Sequence, residues 1–84
     1  MQAKTLLKVI REDKKISLSE MARALKIGVS RYFMIENGER PATPELAERI
    51  AIILGVPKDV LFLPRGFTAR KIHDEETTIK EASA

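Results

Sequence analysis

Residues 17–38 read SLSEMARALKIGVSRYFMIENG, and the architecture turns on how this stretch divides. Ser17-Leu18-Ser19-Glu20 has the form of a capping box, in which a hydroxyl accepts from the third backbone N–H and a glutamate reaches back to the cap. A helix therefore starts there, with Met21, Ala22 and Leu25 on one face at helical spacing. Lys26-Ile27-Gly28 ends it, since glycine readily adopts turn or cap dihedrals. A second short helix is expected over residues 29–37, stopped by Asn37-Gly38, where glycine takes the left-handed conformation at little cost.

Working outward, Leu6, Leu7 and Ile10 recur at spacings of three and four, so residues 3–14 form a helix with one buried side. On the other flank, Thr43-Pro44-Glu45 places a hydroxyl cap, a proline at the first helical position and an acid near the positive end of the dipole. Leu46, Ile50, Ile53 and Leu54 form the stripe of that helix, and Gly55 closes it. Pro57 opens a short fifth helix containing Val60, Leu61 and Leu63. No stretch of the first sixty residues shows the sustained period-two alternation of a strand. The expected fold is all-α, five helices in a domain over residues 1–63, followed by a largely irregular tail over residues 64–84. Phe67 to Ile72 alternates loosely; a strand or dimer arm is the alternative there to a solvated tail.

The chain has 84 residues, enough for one compact domain and too few for two. There is no cysteine, so compaction rests on apolar packing and not on disulfides or a thiolate-bound metal. The longest apolar run, Ile50 to Val56, is far short of the roughly 20 residues that span a bilayer, and the N-terminus lacks a signal-peptide pattern. A cytoplasmic setting is expected. Net charge is +3, and the excess lies in front: Lys and Arg outnumber Asp and Glu by 11 to 8 through Leu63, against 4 to 4 beyond it. That excess is compatible with a polyanionic partner without requiring one.

An enzyme is poorly supported. His73 is the single histidine, it stands in the weakly patterned tail, and no nucleophile–base pair can be assembled around it. Asp74, Glu75 and Glu76 are adjacent and lack the spacing of a calcium loop, and the four glycines are dispersed at helix ends instead of forming a phosphate loop. Neither a metal nor a cofactor is expected.

The spaced positions Ile16-Ser17, Glu20-Met21-Ala22, Leu25, Ile27, Ile35-Glu36-Asn37-Gly38, Pro41, Ala47, Ile50-Ala51 and Leu54-Gly55-Val56 resemble the phage Cro/repressor-type (XRE-like) helix-turn-helix family. The resemblance implies a five-helix lambda-repressor-like domain that binds double-stranded DNA, with Ala22 at the close crossing of the two helices. Ile27, Tyr32 and Ile35 then dock the third helix on the core. It also implies an ion pair between Arg11 and Glu36. With Tyr32 and Ile35 directed inward, about 100° per residue turns Ser30, Phe33, Met34 and Asn37 outward and sets Val29 and Arg31 on the flanks.

That outer face meets DNA in the family, whose members often carry polar residues where this chain has Val29, Phe33 and Met34. These apolar groups suit thymine methyls, with Ser30, Arg31 and Asn37 as hydrogen-bonding partners; alternatively they form a protein-binding strip, or merely pack on the domain. Phosphate contacts are expected from the helix start at Ser17, Leu18 and Ser19, from Lys26 and Arg31, and from Arg40 in the following loop. The expected function is transcriptional regulation, as a repressor acting through a homodimer, with Leu61, Phe62, Leu63 and Phe67 either forming the dimer patch or closing the core. Two alternatives are an antitoxin whose 64–84 tail folds on a toxin partner and a protein adaptor using the third helix.

Overall fold

The computed structural model describes residues 4–64 and 66–72. Five helices follow one another: α1 (Leu6–Asp13), α2 (Leu18–Leu25), α3 (Val29–Glu36), α4 (Pro44–Leu54) and α5 (Lys58–Leu61), with no strand among the described residues. The all-α expectation holds. Local chemistry explains most of the boundaries. Ser17 and Glu20 complete the reciprocal capping box of α2, and the Thr43 hydroxyl accepts from Leu46 N–H with Pro44 at the first position of α4. Gly38 and Gly55 take positive φ angles of 81° and 72° beyond α3 and α4, as their sequence positions require.

Two local details differ from the sequence expectation. The first helix starts at Leu6, because Thr5 caps it by accepting from Lys8 N–H. At the end of α2 it is Lys26 that turns left-handed, with φ 60°, while Gly28 has an ordinary extended conformation and serves as the N-cap of α3. α2 thus ends within Lys26-Ile27-Gly28 as expected, with Lys26 instead of the glycine as the left-handed residue, once Lys26 N–H and Ile27 N–H have bonded back to the last turn.

A single core joins the helices: Leu7 of α1, Met21, Ala22 and Leu25 of α2, Tyr32 and Ile35 of α3, and Leu46, Ala47, Ile50, Ala51 and Leu54 of α4 are all buried. The small side chains of Ala22, Ala47 and Ala51 mark the places where helices approach closely, because packed interiors leave no room for more. Leu61 and Phe62, expected either at a dimer surface or closing the core, are almost completely buried and close the core. Of the other residues expected in the fifth helix, Val60 is 40% exposed, and Leu63, 39% exposed, lies beyond its end at Leu61.

Beyond Leu63, the described residues 66–72 stay on the domain. Residues 66–72 run back between two extended pieces of their own subunit and pair with both. Arg70 N–H donates to Leu61 O and Leu63 N–H donates to Thr68 O on one side; Leu6 N–H donates to Arg70 O and Ile72 N–H donates to Lys4 O on the other. Only isolated antiparallel bridges form, Thr5 with Lys71 and Phe62 with Ala69, and Ala69 is buried against the core. Residues 66–72 therefore form an intramolecular strap, paired as the strand alternative over residues 67–72 would be but without a regular strand, in place of a solvated tail. Its alternation is weak because its partners are two short unrelated segments, and no sheet face shapes the sequence. His73 and the acidic run Asp74-Glu75-Glu76 lie outside the described residues.

Candidate nucleic-acid interface

The site starts from the anchoring of α3. Tyr32 and Ile35 are buried, and Glu36 at the end of the helix is 1% exposed, which would be costly for an isolated carboxylate. It is fully engaged: Arg11 Nε donates to Glu36 Oε2 and Arg11 Nη2 donates to Oε1 at 3.1 Å, a bidentate pair, while the Tyr32 hydroxyl donates to Oε2 at 3.0 Å. A remaining guanidinium N–H donates to Ile16 O, and the buried Thr5 hydroxyl donates to the Glu36 carbonyl at 2.6 Å. Burial disfavours the Arg11 charge, but the hydrogen bonds and attraction from Glu36 outweigh it and hold its pKa above the usual range. Burial, reinforced by the neighbouring Glu36 charge and hydrogen bond, pushes the Tyr32 phenol far upward. The network ties α1, the backbone at Ile16 and α3 together.

Against that anchor, the two ends of the helix pair present different groups. Ser17, Ser19, Lys26, Ser30, Arg31 and Arg40 are exposed, and Val29 is 43% exposed. Leu18, Phe33 and Met34 are half-buried, and Leu18 packs on the core. The apolar strip on α3 is consequently narrower than the sequence suggested, with only Val29 substantially open. Asn37, expected on the outward face, is 6% exposed and buried. The helix has ended at Glu36, and the strap covers this corner: a Cβ at Gly38 would stand 3.5 Å from the Ala69 carbonyl and 3.5 Å from Lys71 Cε. The same strap holds the loop between α3 and α4, since Ala42 N–H donates to Phe67 O.

Sequence reasoning passed over Arg49. It projects from α4 to the end of α2, donating to Ala24 O at 3.4 Å, and lines a cleft of about 340 Å³ together with Lys26, Arg31, Thr43 and Glu45. Nothing local marks it among the polar residues of α4; only the crossing of α2 and α4 brings it beside Lys26.

A short helix clamped from behind by a buried ion network, exposing its other side next to a capped partner helix, is the architecture of a helix-turn-helix DNA-binding protein. Residues 7–61 match the helix-turn-helix family model, and the chain belongs to that family, in its Cro/C1 (XRE) type. It is, in general terms, a DNA-binding transcription regulator. No curated protein matches the sequence. No helix among the described residues is long and apolar enough to cross a membrane.

Proposed function

We propose that the protein represses transcription by occupying a specific operator, with α3 in the major groove and two copies on a two-fold symmetric site. The observation that carries this reading is the division of α3: Tyr32, Ile35 and Glu36 are consumed in anchoring, whereas Val29, Ser30 and Arg31 at its N-terminal end stay open. The N-terminal end of a recognition helix is the part that reaches base edges. Val29 suits a thymine methyl, Ser30 can hydrogen-bond a base, and the half-buried Phe33 and Met34 shape the wall of the contact. Ser17, Ser19, Lys26 and Arg40 serve the phosphates at the margins, where Leu18, its side chain packed on the core, offers only its backbone N–H. Asn37 has no place in direct contact in this reading, since it is buried.

Homodimerisation uses Val60 and Leu63, the exposed apolar residues beside the buried Leu61 and Phe62. Half-sites about 34 Å apart would let both copies dock on one face of the duplex. The narrowness of the apolar strip on α3 weighs against a protein adaptor. Random-site selection on duplex DNA, followed by affinity measured across salt concentrations, tests the function. The expected result is a preferred, symmetric site with a steep negative salt slope; equal affinity for all sequences would overturn sequence-specific repression.

A further inference from the structure

The cleft lined by Lys26, Arg31 and Arg49 brings three cations together from the turn, from α3 and from α4, with Glu45 as the one carboxylate among its lining residues. All three cations are exposed, and among the described residues none of them forms an ion pair. The cleft lies at the C-terminal end of α2. Eight residues at 1.5 Å per residue make α2 about 12 Å long, close to the roughly 12 Å width of the major groove. A helix of that length laid across the groove has its two ends over opposite phosphate ridges. Ser17 and Ser19 occupy one end, and the three-cation cleft occupies the other.

Resting on the DNA-binding reading above, we infer that Lys26, Arg31 and Arg49 form a second phosphate cradle, which grips the strand opposite the one met by the start of α2. Arg49 is the new member. It reads no base; it adds a sequence-independent contact to the backbone on the ridge opposite the start of α2. Because Glu45 sits in the same cleft, it opposes the phosphate, and its removal acts with the opposite sign.

The test uses the full chain and a selected duplex beside an unrelated one, with dissociation constants measured over a range of salt. Arg49→Gln should lower the slope of log affinity against log salt by about one and weaken binding about 5- to 10-fold at 0.1 M salt, equally for both duplexes. Arg49→Lys should restore most of the slope, Glu45→Gln should tighten binding, and Arg23→Gln, on α2 but outside the cleft, should change neither quantity. The Arg49→Lys and Glu45→Gln arms separate a lost contact from a misfolded variant. If Arg49→Gln behaves like Arg23→Gln while wild type binds DNA, the cradle is wrong. Saturable binding of inorganic phosphate to wild type, with an unchanged DNA slope in Arg49→Gln, would also overturn it and assign the cleft to a small anion. Absence of salt-dependent binding by wild type to any duplex would instead refute the DNA-binding reading itself.

Discussion

Arg11 of α1 and Glu36 of α3 form a two-point ion pair in the interior, with side chains 6% and 1% exposed, across 25 residues of sequence. The pair sits directly behind the helix proposed to read DNA, so its geometry sets where Val29 and Ser30 stand. Buried pairs of this kind contribute little relative to an apolar substitute, yet breaking one strands the other charge.

Glu36→Ala is therefore expected to cost about 3–5 kcal/mol, because Arg11 and the Tyr32 hydroxyl both lose their acceptor. Chemical denaturation measures it directly. A loss under about 1 kcal/mol, the scale of exposed pairs, would show that the site takes up water and the network is not structural.

The raised Tyr32 pKa makes a prediction at high pH. A phenol whose folded pKa lies above its unfolded value of 10.0 gives stability that is fully present below pH 10 and is lost progressively as pH rises above it. Tyr32 is the only tyrosine, so phenolate absorbance reports this one group. Ionisation should coincide with the loss of helical circular dichroism on alkaline titration; ionisation near pH 10 in a still-folded protein would contradict the burial described here.

Gly28 caps α3 without a side-chain hydrogen bond, has an ordinary φ of −71°, and faces open space where a Cβ would go. Gly28→Ser supplies the missing acceptor and reduces the freedom of the unfolded chain, a gain of about 0.5–1 kcal/mol. A rise of roughly 3–6 °C in Tm is expected by calorimetry. A lowered Tm would mean that the α2–α3 turn needs glycine for a reason not visible in its backbone.

Ala69 tests the strap. It is 1% exposed and paired with Phe62, so Ala69→Asp buries a carboxylate without a partner and should cost about 3 kcal/mol or more. Ile52→Lys, at a position 70% exposed on α4, should alter stability by no more than about 0.5 kcal/mol. Equal, small effects in urea unfolding would show that residues 66–72 are dispensable to the fold.

What the sequence determined by itself was every feature governed by neighbours within about one helical turn. Ser17 with Glu20, Thr43 with Pro44, and Gly38 and Gly55 after their helices announced the elements, because caps and left-handed stops are hydrogen-bonding and steric problems solved within four residues. The spaced family positions then fixed how those helices pack and which side of α3 is anchored. Only the tertiary structure decided that Asn37 is covered, that Leu61 and Phe62 turn inward, that residues 66–72 return to bridge Lys4–Leu6 and Leu61–Leu63, and that Arg49 joins Lys26 and Arg31 around one cleft. Those outcomes depend on separate segments meeting in space: residues 66–72 pair with Lys4–Leu6 from the far end of the domain, and Arg49 of α4 stands beside Lys26 at the end of α2. Exposure and electrostatic grouping are properties of that meeting, and no local pattern encodes them.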